Sequence, residues 1–224
     1  MKTELDLKMD AIMAAMTAEG GPLALGSVER FGQKLPIIAA APPTLNAYFA
    51  HYCAQFKDTE FLVAGDERLT FGDVHAKATQ VAMALVSGFG VKKGDRVGIA
   101  ARNSPSWIVI YMGVLMAGGV ATLLNGWWQA EELQAGVEDV GCTLVFADPP
   151  RCKRLAAIDG LRAKVVEFDD LQPLDTALET ILRSGGEAEL PEVGPDDNAT
   201  ILFTSGSTGQ STVSYTHLTL PTSD

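Results

Sequence analysis

Six consecutive residues, Thr204, Ser205, Gly206, Ser207, Thr208 and Gly209, carry four hydroxyls, two glycines and almost no side-chain bulk. Each hydroxyl can donate or accept a hydrogen bond. Glycine lets the backbone turn and come close to a ligand. Successive N–H groups in such a turn form a concavity suited to an anion. The apolar run Ile201-Leu202-Phe203 leads into this stretch and reads as a buried strand. The chemistry implied is a phosphate clamp mounted on a strand end. It is not the P-loop of nucleotide hydrolases, which requires Gly-x-x-x-x-Gly-Lys-Ser/Thr. Counted from Gly206, the second glycine would fall on Ser211 and the lysine on Thr212.

Other residues with chemical potential read as structural. His51 and His75 lie in helical stretches with no Cys, Asp or Glu at ligand spacing. Trp127-Trp128 could wall a ligand site, but an indole is first a large apolar body with one donor, and packing at a strand–helix corner is expected. Asp196-Asp197 precede a strand as a solvated turn. Glu131-Glu132 open a helix, where acids suit the dipole. Cys53, Cys142 and Cys152 are far apart and odd in number, with no C-x-x-C pair. That argues against a disulfide framework or zinc site and for a reducing, cytoplasmic setting. No catalytic and no metal-ligating residue is assigned.

The elements that must position the clamp follow from periodicity. Residues 4–18 read as a helix with Leu5, Met9, Ile12, Met13 and Met16 on one face. Residues 23–38 suit a hairpin around Gly32, and Thr44 caps a helix through Tyr48 and Tyr52. A second hairpin turns at Gly65-Asp66. Thr70 with Asp73 three residues on opens a helix to about Ser87. Strands at 97–101, 120–124, 143–147, 164–168 and from 200 alternate with helices at 105–117, 129–139, just after Pro149-Pro150, and 172–184. The Gly/Glu/Pro-rich stretch 185–195 reads as an exposed linker. Such alternation predicts an α/β fold, a mostly parallel sheet with helices on both faces. Ligands of such sheets bind past the carboxyl ends of the strands, which is where the clamp would sit.

The 224 residues carry a net charge of −11, from 17 basic and 28 acidic side chains. That balance excludes the basic footprint of a nucleic-acid binder. With 47% apolar residues the chain can bury a sizeable core. The uncharged stretch 107–124 approaches the length of a membrane span, but Gly118-Gly119 interrupts it. A buried helix followed by a strand is the expected parse, with no transmembrane segment.

The string Thr204-Ser205-Gly206-Ser207-Thr208-Gly209 resembles the phosphate loop of the adenylate-forming (AMP-binding) superfamily: acyl-CoA synthetases, luciferases and peptide-synthetase adenylation domains. Leu69-Thr70-Phe71 and Gly94-Asp95-Arg96-Val97 resemble early blocks of the same superfamily. Leu124-Asn125-Gly126-Trp127-Trp128 with Glu131-Glu132-Leu133 looks like its fatty-acid–CoA ligases. The resemblance runs from about Thr44 to Gly209. It implies an N-terminal portion of the adenylate-forming fold. It also implies ATP, Mg²⁺, coenzyme A and a small-molecule carboxylic acid as the partners of the whole enzyme, with 204–209 holding the β- and γ-phosphates. The reaction implied is activation of the carboxylate as an acyl-adenylate, then thioester formation with coenzyme A.

The superfamily loop continues x-Pro-Lys-Gly. Here Gln210-Ser211-Thr212-Val213 follows, so Ser stands for Pro, Thr for Lys and Val for Gly. Residues 213–222 resemble the translation of a transposon-end sequencing adapter and are set aside from fold reasoning. On that basis the source gene is expected to encode Lys at 212. The resulting division is an N-terminal arm (1–43), a first α/β subdomain (44–195), the strand and phosphate loop (196–212) and an artefactual tail (213–224). The superfamily's adenine pocket, acyl pocket and C-terminal catalytic lysine would lie downstream, so the polypeptide as written is expected to be inactive. A self-standing α/β binding or scaffold domain without catalysis is the alternative.

Overall fold

A computed structural model of the chain describes residues 2–30, 32–205 and 211–216, the last of these and residue 205 by backbone alone. Two compact units divide the chain between Pro43 and Thr44.

The first unit holds α1 (Glu4–Thr17) and a hairpin of β1 (Leu25–Arg30) and β2 (Gln33–Ile38). Thr3 caps α1 in a capping box with Asp6: the Asp6 N–H donates to Thr3 Oγ1 at 3.2 Å, and the Thr3 N–H donates to Asp6 at 2.7 Å. The apolar face read from the sequence forms as a helix, but Leu5, Met9, Ile12 and Met13 remain exposed.

The second unit is built on a sheet of order β10-β9-β6-β5-β7-β8. Its strands are β5 (Arg96–Ala100), β6 (Val120–Leu123), β7 (Leu144–Ala147), β8 (Lys164–Glu167), β9 (Thr200–Ser205) and β10 (Ser211–Thr216). The first five run parallel, and β10 pairs antiparallel with β9. A short hairpin of β3 (Glu60–Ala64) and β4 (Glu67–Thr70) precedes them. The helices are α2 (Leu45–Gln55), α3 (Phe71–Phe89), α4 (Pro105–Met116), α5 (Ala130–Asp139), α6 (Pro149–Ala156) and α7 (Leu174–Arg183).

Alternate strand residues point to opposite faces, and the core divides accordingly. Val97, Ile99, Leu144 and Phe146 pack with α3, α4 and α7. Ala100, Val145, Ala147 and Ile201 pack with Leu133 and Val137 of α5 and Leu155 of α6. Burying one such Leu, Ile or Phe contributes about 1.5–3 kcal/mol. The helix ends are set locally. Thr70 caps α3 through Asp73, and Gly90 ends it at φ 69°, a left-handed position that suits a residue without Cβ. Gly113 of α4 lets α3 approach, since a Cβ there would lie 2.6 Å from Val81 Cγ1.

The structure adds to two readings of the sequence. The stretch 185–195, read as an exposed linker, is partly covered and is held at Gly186 and Glu192. Ser87 Oγ donates to the Gly186 carbonyl (3.1 Å) and accepts from the Gly186 N–H (3.0 Å), and Lys93 Nζ donates to the Glu192 carbonyl at 3.1 Å. A chain with neither helix nor strand is held when its polar groups find such partners; composition alone did not show them. Residues 211–216, mostly within the stretch set aside from folding, form β10 and occupy the side of β9 that β6 leaves free.

Candidate functional site at the carboxyl edge

The register places the end of β9 beyond its neighbours. Leu202 lies level with Leu123 of β6, and Leu123 with Ile99 of β5. β6 stops there, whereas β9 continues through Phe203 and Thr204 to Ser205. Thr204 is exposed. Thr204 faces Thr212 across the antiparallel pair, and Ser205 faces Ser211. Of the six residues read as a phosphate clamp, Thr204 and Ser205 therefore sit at the carboxyl edge. Gly206, Ser207, Thr208 and Gly209 lie outside the described residues.

The base of β9 is anchored by its own side chains. Thr200 is buried, with its hydroxyl 2.8 Å from the Tyr111 hydroxyl on α4. Burial pushes the Tyr111 phenol up, which keeps it neutral and able to donate. Ile201 is fully buried. Phe203 meets Trp128 edge to face, with ring centroids 5.0 Å apart.

The loop after β6 shows why the tandem tryptophans do different things. Trp128 is 9% exposed and Trp127 83%. The Trp128 indole fits against α5 because residue 136 is glycine; a Cβ there would lie 2.6 Å from Trp128 Cζ3. The Trp127 N–H donates to Asn125 Oδ1 at 3.0 Å, turning the backbone so that one indole goes in and the next goes out.

Around this loop lies a charged network missed in the sequence. Asp148, directly after β7, is 0% exposed and caps α6, accepting the Arg151 N–H at 3.1 Å. Its carboxylate pairs with Arg151 Nη1 at 2.9 Å and accepts the Arg102 N–H, directly past β5, at 3.2 Å. Arg102 binds both oxygens of Asp170, past β8, at 3.0 and 3.1 Å. Arg151 Nε donates to the Gly126 carbonyl at 2.8 Å. Arg154 Nη1 donates to the Gly126 and Trp128 carbonyls at 3.1 and 3.0 Å. The loops after β5, β6, β7 and β8 are thereby tied to one another. Charged residues right after apolar strands were the available signal, but their partners lie up to 68 positions away.

The remaining candidates are structural. Asp197 pairs with Lys93 at 2.7 Å and accepts the Gly194 N–H at 2.6 Å. The Lys93 ammonium is the main reason its carboxyl is held below the usual range. It precedes β9, so it lies at the opposite edge from Thr204. His75 packs against Phe49 with ring centroids 5.6 Å apart, and burial lowers its pKa. Burial is the first cause pushing the Cys142 and Cys152 thiols up to about 11, so neither is a thiolate nucleophile at neutral pH. Glu132 accepts the Gln129 N–H at 2.9 Å as part of the start of α5.

The AMP-binding enzyme family matches residues 49–217. The chain belongs to that family. Among its relatives, the medium/long-chain-fatty-acid–CoA ligase FadD6 of Mycobacterium tuberculosis is 30% identical over 170 residues, 74% of this chain and 28% of that protein. The 4-coumarate–CoA ligase 3 of Arabidopsis thaliana is 27% identical over 186 residues, 80% of this chain and 33% of that one. The chain thus spans about a third or less of these relatives. Among solved structures, the N-terminal domain of FACL13 from Mycobacterium tuberculosis superposes with a TM-score of 0.67 at 24% identity, over 78% of this chain and 44% of that domain. The anthranilate–CoA ligase AuaEII, solved with anthranoyl-AMP, gives 0.67 at 20% identity over 75% and 33% of the two chains. The fold is that of the N-terminal domains of adenylate-forming enzymes.

At the described part of this edge, the exposed Thr204 carries a hydroxyl, a side chain able to donate or accept a hydrogen bond. The position opposite Thr204, where the superfamily pattern has lysine, holds Thr212. Among the described residues, no group of three or more His, Cys, Asp or Glu side chains could hold Mg²⁺. No helix among them is long and apolar enough to cross a membrane.

Proposed function

We propose that this chain is an N-terminal portion of an ATP-dependent acyl-CoA synthetase, with 204–209 gripping the β- and γ-phosphates of ATP. One observation carries the reading: Thr204 and Ser205 reach past the carboxyl ends of parallel strands in a chain matched to AMP-binding enzymes. In the reaction, a carboxylate oxygen attacks the α-phosphorus of ATP and the bond to pyrophosphate breaks. The sulfur of coenzyme A then attacks the acyl carbon and AMP departs. Magnesium supplies charge compensation on the phosphates when bound. The contribution of this chain is to hold the polyphosphate: the Thr204 hydroxyl and the N–H groups of 204–209 offset charge as pyrophosphate leaves. The names of the relatives favour fatty or aryl carboxylic acids as substrates. The three free thiols suit a cytoplasmic setting.

The 224 residues by themselves are proposed to be inactive, because they span about a third or less of the relatives and carry Thr at 212. Two measurements test this. Incubation with ATP, Mg²⁺, coenzyme A and fatty or aryl acids should yield no acyl-CoA; turnover above background refutes inactivity. Titration of the ¹⁵N-labelled chain with magnesium tripolyphosphate should shift the amide signals of 204–209. Shifts confined to the opposite edge of the sheet, or none, would overturn the clamp.

A further inference from the structure

At the amino edge of the sheet, opposite Thr204, a cavity of about 20 Å³ lies between the start of α2, the end of α4 and the segment that leads into β9. One atom of its lining has a bond that the protein does not supply. Asn46 is the second residue of α2, and its Nδ2 donates to the Leu115 carbonyl in the last turn of α4 at 2.9 Å. Its Oδ1 is buried, and no donor among the described residues bonds to it. Turning the amide over does not cure this, because Oδ1 would then face the Leu115 carbonyl, acceptor against acceptor. A buried acceptor without a donor forfeits the hydration it has in the unfolded chain. Thr44 lines the same cavity. Its hydroxyl accepts the Ala47 N–H at 3.1 Å and keeps a proton to donate.

We propose that this cavity is the site of one bound water, which donates to Asn46 Oδ1 and accepts from the Thr44 hydroxyl. Size favours it: a water needs about 10–15 Å³ by the same measure, so the cavity holds one and no larger ligand. Charge excludes an anion. The C-terminal end of α4 carries partial negative charge, and the Asp197 carboxylate is also part of the lining. Charge also disfavours a cation, since Asp197 already pairs with Lys93 at 2.7 Å and accepts the Gly194 N–H at 2.6 Å. A neutral donor of water size is what remains. Its second proton is left for the lining backbone, where the Gly194 carbonyl accepts the Asp197 N–H at 3.2 Å and has a further lone pair. The water thereby fastens the start of α2 to the segment entering β9, two stretches about 150 positions apart. A buried water with such partners is a structural part of the fold and costly to remove.

The test uses the ¹⁵N-labelled 224-residue chain in a sodium buffer. Magnetisation transfer from water to the Asn46 side-chain amide protons is recorded in the laboratory and rotating frames. A held water gives cross-peaks of opposite sign in the two; proton exchange and fleeting surface water do not. Opposite signs are expected at the Asn46 amide, and their lack overturns the proposal. The exchanging Thr44 hydroxyl could imitate that signature, so Thr44→Asn is compared. Asparagine keeps a capping oxygen and a donor but has no fast-exchanging hydroxyl. The Asn46 cross-peaks should persist in it; their loss would assign them to the hydroxyl and overturn the water. If Thr44→Asn does not fold, Thr44→Asp is judged by the same criterion. A last arm replaces sodium by potassium or ammonium at constant ionic strength. Unchanged cross-peaks support a water. A saturable shift of the Asn46 amide with loss of the cross-peaks would give the site to a cation and refute the proposal.

Discussion

At the residue scale, His75 shows how a side chain with chemical potential is put to structural use. It packs on Phe49, and burial lowers its pKa from the ordinary 6.5. A histidine whose folded pKa is depressed binds fewer protons folded than unfolded, so stability rises with pH through that window. The chain should therefore lose stability as pH falls below about 6.5, down to the folded-state pKa. Denaturant unfolding of the parent and His75→Phe at about pH 5 and pH 8 checks this. The parent should lose more on acidification than the variant; equal losses would remove His75 from the account. Trp127 and Trp128 make a related point. They are one residue type at adjacent positions, and the packing role read for the pair belongs to Trp128 alone, whose indole fills the space beside Gly136 while Trp127 is 83% exposed.

The element scale is where local sequence rules worked best and where their limit shows. Capping boxes at Thr3 and Thr70 start α1 and α3 as their residue types require. Yet α3 and α4 pack as they do because of a pairwise fit no single segment contains. Gly113 faces Val81, and a methyl group there would meet Val81 Cγ1 at 2.6 Å. Neither helix can yield easily, since Ala78, Val81, Val109 and Val114 are all fully buried. Gly113→Ala gains roughly 1 kcal/mol of helix propensity, while overpacking costs roughly 1–3 kcal/mol. A net loss of about 1 kcal/mol is expected from these opposing terms, read as a lower denaturant midpoint at unchanged slope. A variant as stable as the parent would mean that the two helices can separate freely.

For the whole molecule, the sheet is the structure on which everything else depends, and β9 is an inner strand of it only through β10. Its parallel partner β6 covers one flank and β10 the other. A chain ended after Gln210 would lose β10 and bare the N–H and C=O groups of β9, an edge that templates association. Such a chain should elute from size exclusion as concentration-dependent oligomers, more so than the 224-residue chain. Identical, concentration-independent elution of both would show that β10 does not protect that flank. The residues set aside as an adapter translation thus have a structural consequence: an alternating segment next to a bare strand pairs with it whatever its origin, because ladder bonds come from the backbone.

Periodicity, caps and turn residues determined by themselves that this is an α/β chain with parallel strands, and Thr204–Gly209 with its apolar lead carried the family. These features are local, so neighbouring residues state them fully. Only the tertiary structure decided that the stretch 185–195 is held, that β9 outruns β6, and that Arg102, Asp148, Arg151, Arg154 and Asp170 tie four loops together. Those outcomes depend on strand order and on contacts between residues far apart in the chain, and an isolated aspartate after a strand looks the same whether it ends in solvent or in a buried pair.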